Sequence, residues 1–274
     1  MVSSRSSLLA ALALALAAAP LARAAAPPAP RPAMMIKAVP TQKKLIAFTF
    51  DDGPNRRYTP QVLDLLRRYH AKATFFLIGQ EVVRFPDVVG QIQKAGMEIG
   101  NHGMHHKWLH KLSGDAIGEE IQGGADAITA AGGRRPYLYR LPGGYSSSEA
   151  SQVLGRLGYT IVGWSVDTRD WRMRATADSV ERIVLRDAQP GRIVIMHDGS
   201  IHREGTIAAL GKVLPELERQ GYKIVSVGDL LRSSDYAQLR SLVPQPKPKP
   251  AKARHARKAP PRQGWLERLL PRVS

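Results

Sequence analysis

Two carboxylates stand side by side in "LIAFTFDDGP", residues 45–54, where Asp51 and Asp52 end an apolar run just before Gly53 and Pro54. Adjacent like charges at the end of a buried strand cost free energy unless something of opposite charge meets them. A second group of ionisable residues lies in "EIGNHGMHH", residues 98–106. His102 and His106 are four apart, so on a helical turn they would share a face. Two imidazoles and one carboxylate can hold a divalent metal with a position left open. The histidine cluster, with His105 and His110 nearby, would by itself also suit a polar loop; a carboxylate pair ending another strand turns the reading toward a metal. The chain has no cysteine, which excludes thiolate ligands, thiol nucleophiles and disulfides together.

Three further segments bring charge to the ends of apolar runs. These are "YRLPGG" with Arg140, "WSVDTRDW" with Asp167, Asp170 and Trp171, and "IVIMHDG" with Ile195, His197 and Asp198. The elements that would position all five segments alternate along the body. Strands are predicted at 45–50, 74–78, 98–100, 137–140, 160–166, 192–196 and 223–226. Helical signals fall between them. Thr59 and Pro60 read as an N-cap followed by proline at the first helical position. Asp87 reads as the cap of a segment that stops at Gly96, and Ser146 with Glu149 as a capping box for a helix ending at Gly158. About seven strand–helix alternations predict an α/β fold with parallel strands. Periodicity leaves an open sheet and a barrel equally available. In either, function gathers at the C-terminal ends of the strands, where these groups lie. Asp198 and His202 read as loop residues and Asp167 as a capping or supporting residue.

The flanks differ from the body. Residues 1–24 have Arg5 in a short polar head, an apolar stretch from Leu8 to Ala19, and Ala22-Arg23-Ala24. This is the layout of a cleaved secretory signal peptide. The apolar stretch is short for a membrane span, which needs roughly 20 residues, so no stable span is expected after cleavage. Residues 25–42 read as an Ala/Pro-rich linker, 43–232 as the folded body, and 243–274 as a disordered basic tail rich in Pro, Lys and Arg. The net charge of +17 suits an anionic partner. For an exported chain that partner is an anionic cell-envelope polymer met through the tail, although the tail would serve equally as a solvated spacer. The tail lacks interleaved aromatics, so nucleic acid is not expected.

"TFDDGP", "HGMHH", "RLPGG", "DTRDW" and "IVIMH", in that order and at these intervals, resemble the five motifs of the polysaccharide deacetylases, carbohydrate esterase family 4. The resemblance covers the body, roughly 43–231. It implies a distorted, incomplete (β/α) barrel of about seven parallel strands. It also implies a metal-dependent hydrolase that removes N-acetyl groups from the N-acetylglucosamine of a glycan; the export signal and the basic tail point to an extracytoplasmic glycan, peptidoglycan first. Chitooligosaccharide, an exopolysaccharide and acetylated xylan are alternative substrates, and an inactive glycan-binding module is an alternative of another class.

The resemblance implies roles residue by residue. Asp52, His102 and His106 would bind the metal, Zn²⁺ or another divalent transition metal. Asp51 would be the general base and Arg140 its partner, fixing its direction. His197 would be the general acid, held protonated by Asp170. Trp171 and Ile195 would line the pocket for the acetyl methyl group, and the backbone N–H near Gly143 would meet the oxyanion. Two positions depart from the family pattern. Gly103 stands where Ser or Thr is usual, which removes a hydroxyl that would brace the loop. Gly143 stands where a bulkier residue is common, which would open one wall of the groove.

Overall fold

A computed structural model describes residues 31–173 and 175–244. The expected signal peptide lies outside them, as does the expected tail apart from Val243 and Pro244. The strands are β1 (Met35–Ile36), β2 (Leu45–Asp51), β3 (Ala73–Leu77), β4 (Glu98–Asn101), β5 (Leu138–Tyr139), β6 (Thr160–Val162), β7 (Val166–Asp167), β8 (Ile193–His197) and β9 (Lys223–Val225). The helices that matter for the site are α1 (Thr59–Arg68), α2 (Gly79–Arg84), α3 (Pro86–Lys94), α4 (Gly114–Ala130), α5 (Ser148–Arg156), α6 (Ala177–Asp187) and α7 (Glu204–Arg219). α8 (Val227–Arg232) and α9 (Ala237–Arg240) follow.

Every ladder between strands is parallel, in the order β1-β6-β5-β4-β3-β2-β8-β7, with β9 added to the start of β2. The order is not cyclic, so the curled sheet is a half-barrel, as the family resemblance implies. β2 is its centre. On one side it pairs with β9 over Leu45–Ala47 and then with β3 over Phe48–Asp51, and on the other with β8. That position explains its composition: a strand covered on both faces reads as an almost unbroken apolar run. Phe48 and Phe50 pack outward with Val62 and Leu66 of α1, Ile92 of α3 and Leu210 of α7. On the other face Ala47 joins Phe76, Leu138 and Ile193 in the second core cluster.

Three local expectations change. Met35 and Ile36, placed in the linker by composition, form β1, paired with Ile161 and Val162. The folded body thus begins before Lys43, and Ile36 and Val39 are buried. It also extends past Arg232, because Val243 packs into the second cluster. The single strand expected over 160–166 divides into β6 and β7. The break serves a purpose: Val162 O and Gly163 O turn to accept hydrogen bonds from Arg140 Nε and Nη2 at 3.1 and 3.0 Å.

The caps also move. Ser147 rather than Ser146 caps α5, accepting from Ala150 N. Asp87 lies inside the first turn of α3, which begins at Pro86. Thr59 is the first residue of α1, and its hydroxyl donates to Asp198 instead of capping the helix.

Candidate active site

The ends of β2, β4, β5 and β8 open on one cleft. Asp51 is the last residue of β2, and successive side chains on a strand alternate faces. Asp52 escapes that rule because its φ is +70°, outside the strand region. The left-handed residue is what lets both carboxylates address one space.

His102 and His106 reach that space by a loop and not by a helix. His102 follows β4 directly, its N–H donating to Leu77 O. Gly103 and His106 both have positive φ, +84° and +58°, and these two reversals fold the loop back. Asp52 Oδ1 then lies 3.5 Å from His102 Nε2 and 3.4 Å from His106 Nε2. One ligand atom from each of the three falls within 4.8 Å of the others.

This set fits a divalent cation. His102 Nδ1 lies 2.8 Å from Arg140 O, so its N–H points there and the Nε2 lone pair faces the cleft. Asp52 Oδ1 is buried with no hydrogen-bond partner, an orphaned acceptor that a cation would satisfy. Burial alone would push the Asp52 carboxyl up. The charges of His102, His197 and His106 outweigh it and hold Asp52 well below the usual carboxylate range. Burial and the His102 charge push His106 down, which favours the neutral, metal-binding form.

Asp51 divides its two oxygens. Oδ1 accepts from Arg140 Nη1 at 2.8 Å, while Oδ2 turns toward His102 Nε2 at 3.8 Å. Arg140 is fully buried at the end of β5. Besides Asp51 it donates to Thr49 Oγ1, Val162 O and Gly163 O, and its guanidinium lies 4.3 Å from the Phe76 ring centre. A guanidinium with four fixed acceptors cannot swing, so the free oxygen of Asp51 has one direction.

His197 ends β8 and pairs in register with Asp51. Its Nδ1 is 2.7 Å from Asp170 Oδ1, and its backbone N–H donates to Asp170 Oδ2 at 2.8 Å. Burial would lower the imidazole, but the Asp170 hydrogen bond and charge override it and raise its pKa to about 9. Ile195, two residues earlier on β8, presents its side chain to the same face as His197. Trp171 follows Asp170 and is 52% exposed, so it is not a core residue.

Gly143 lies in a short 3₁₀ turn, Pro142–Gly144, at φ +67°. The open wall expected there is not found. A Cβ at Gly143 would stand 3.0 Å from the Tyr145 ring and 3.3 Å from Trp108 Nε1, so two aromatic rings occupy the flank.

Several buried groups escaped the sequence reading. Glu120 on α4 takes the bracing part left by a missing hydroxyl at Gly103. Its Oε1 accepts from His105 N at 2.6 Å and Lys107 N at 3.3 Å, and its Oε2 lies 3.0 Å from His105 Nδ1. The available signal was a carboxylate on the apolar face of α4, between Ile117 and Ile121. Thr206 donates to Asp170 Oδ2 at 2.8 Å. Asp198, read as a loop residue, is fully buried; burial, with the Asp52 and Asp51 charges, overrides its Thr59 hydrogen bond and raises its carboxyl to about 7.

Comparison with known proteins agrees with this geometry. A sequence model of the family described as polysaccharide deacetylase matches residues 38–162. The chain is 45% identical over 196 residues to a peptidoglycan-N-acetylglucosamine deacetylase of Bacillus cereus, covering 71% of this chain and 91% of that one. Its backbone is similar to the crystal structure of the Bc1960 peptidoglycan N-acetylglucosamine deacetylase, with a TM-score of 0.70 and 32% identity over 73% of this chain and 94% of the other. It is also similar to a carbohydrate esterase family 4 pseudoenzyme from Bacillus anthracis, with a TM-score of 0.69 and 30% identity over 75% of this chain and 71% of the other. Likeness of this extent, in sequence and in backbone alike, means that the chain belongs to the polysaccharide deacetylase family.

Proposed function

We propose that this hydrolase removes N-acetyl groups from the N-acetylglucosamine residues of peptidoglycan outside the cytoplasm, with Zn²⁺ held by Asp52, His102 and His106. The observation that carries the reading is the division of labour at Asp51. One oxygen is tied to Arg140 while the other faces the ligand cluster, so a proton acceptor stands beside a cation site without being consumed by it.

A divalent cation held there supplies a Lewis acid and a water of lowered pKa. Asp51 accepts the proton of the attacking water through Oδ2, and Arg140 keeps that oxygen aimed. The backbone N–H at Gly143 donates to the oxygen of the tetrahedral carbon. His197, protonated at neutral pH by its pairing with Asp170, gives its Nε2 proton to the leaving nitrogen. The C–N bond breaks, the hydroxyl stays on the acetyl carbon, and acetate and a free amino sugar result. Ile195 and Trp171 receive the acetyl methyl group.

Two lines support the substrate and the location. The similar proteins named above include peptidoglycan N-acetylglucosamine deacetylases. The first 24 residues have the layout of an export signal, and nine Lys or Arg against one Glu in residues 243–274 suit an anionic wall. Among the described residues no helix is long and apolar enough to cross a membrane. The likeness to a pseudoenzyme gives the inactive-binder reading its weight; the presence here of Asp51, Arg140, His197, Asp170 and all three ligands in one cleft weighs against it.

The test is acetate release from peptidoglycan and from N-acetylglucosamine oligomers, with Zn²⁺ and with chelator. Release from peptidoglycan that stops with chelator and in Asp51→Asn, while that variant still binds zinc, is the expected result. Faster release from the oligomers than from peptidoglycan would reassign the substrate, and no release from either would leave a binding module. Truncation after Pro244 should lower retention on anionic wall fragments; equal retention would make the tail a spacer.

A further inference from the structure

Three aromatic side chains meet on the rim beside Gly143. The Trp108 and Tyr145 ring centres are 5.2 Å apart, Trp108 and His110 5.8 Å, and His110 and Tyr145 5.3 Å. Trp108 and His110 come from the segment just after His106, and Tyr145 from the residue after the Pro142–Gly144 turn. The cluster therefore joins the segment bearing a metal ligand to the segment bearing the oxyanion donor.

These rings are not buried to build a core. Tyr145 is 54% exposed and Trp108 40%. Nor are they needed to hold either segment in place. Glu120 fixes the histidine loop through His105 N and Lys107 N, and Gly144 N donates to Leu141 O to close the turn. An exposed apolar patch at the edge of a polar cleft marks a place where something binds.

The geometry says what kind of group. A pyranose presents a flat face of C–H bonds with hydroxyls around it, and such C–H groups are attracted to the electron-rich face of an aromatic ring. Lys111 Nζ lies 4.4 Å from the Trp108 ring centre and takes one face of the indole. The more exposed Tyr145 ring is left as the stacking surface, with a lysine donor close by for sugar oxygens. Tyr145 Cδ2 also lies only 3.0 Å from where a Cβ on Gly143 would be. A glycan with an acetamide at the Gly143 N–H thus carries its adjoining ring over this rim.

We infer that Tyr145, backed by Trp108 and His110, is a subsite for the sugar ring next to the one that is deacetylated. The inference rests on the deacetylase reading above, and it makes the enzyme one that grips an oligomer and not a lone sugar.

The test is steady-state acetate release from the N-acetylglucosamine tetramer by the zinc-loaded enzyme. Tyr145→Ala and Trp108→Ala should each raise KM about three- to tenfold, the range for an aromatic contact of this kind, with a smaller change in kcat. Tyr145→Phe, which keeps the ring, should restore KM. Unchanged KM in both alanine variants of an active enzyme would overturn the subsite alone. A fall in kcat and in thermal stability with KM unchanged would make the cluster a structural brace and would also overturn it. Absence of acetate release by the wild-type enzyme would remove the deacetylase reading, and the subsite with it.

Discussion

Arg140 Nη1 lies 2.8 Å from Asp51 Oδ1, with both side chains at most 3% exposed. A guanidinium this deep is unfavourable unless its donors are met, and four acceptors meet four of its five N–H groups. Removing one member of a buried pair leaves the other uncompensated and costs about 3–5 kcal/mol. Arg140→Met should lose stability on that scale in urea unfolding, because it also leaves Thr49, Val162 and Gly163 without their donor. Asp51→Asn should lose less, since an amide oxygen still accepts from Arg140. Its acetate release should nevertheless fall by about 10²- to 10⁴-fold, the range for a proton-transfer group. Equal destabilisation by the two substitutions would contradict this account of the pair.

Glu120 should act on metal affinity without touching the metal. Its carboxylate holds His105 N and Lys107 N on either side of His106. Outer partners of metal ligands are generally worth 10- to 100-fold in affinity. Glu120→Gln should therefore weaken zinc binding by about 10-fold or more in competition with a chromophoric chelator. A loss of thermal stability in the metal-free protein, with zinc affinity unaltered, would make Glu120 a packing residue only.

Much of the site was legible because the fold obeys a general rule. Groups placed at the ends of predicted strands arrive at one cleft whatever the details of the barrel, and Asp51, Arg140 and His197 do so. What sequence spacing missed depends on backbone conformation and tertiary contact. The four-residue interval between His102 and His106 looks helical, but Gly103 and His106 at positive φ make it a loop. Nothing in "DDGP" announces that Asp52 turns left-handed. Asp198 looks like any polar residue after a strand until α1 brings Thr59 against it. Met35 and Ile36 are too few to show a period, and they become a strand only because β6 offers an edge.

The alkaline limit of activity should come from His197. Its pKa is raised from 6.5 to about 9 by Asp170, against the effect of burial, so it keeps the proton that the proposed reaction asks it to donate until the pH approaches that value. A cation among Asp52, His102 and His106 opposes the imidazolium charge, which places the limb at or somewhat below 9. Asp170→Asn should move it toward 6.5 in a kcat–pH profile. The same shift has a stability counterpart. The folded-state pKa exceeds the unfolded one, so the pair's contribution is complete below 6.5 and disappears as pH rises through about 9. An alkaline limb that stays in place in Asp170→Asn would assign it to another group.

Asp198 should shift stability in the same direction, over a lower pH interval. It faces Asp51, Asp52 and His197, donates nothing to the proposed chemistry, and has one carboxyl oxygen with no partner. Burial raises its pKa from 3.8 to about 7. Between those values the folded chain binds a proton that the unfolded chain has released, so stability falls as pH rises. Asp198→Asn has no such titration and can still accept from Thr59. In denaturant unfolding the variant should therefore gain on the wild type steadily from pH 4 to pH 7. A difference independent of pH over that interval would mean that Asp198 is ionised throughout, and that the region around Gly53 solvates a charge it is shaped to exclude.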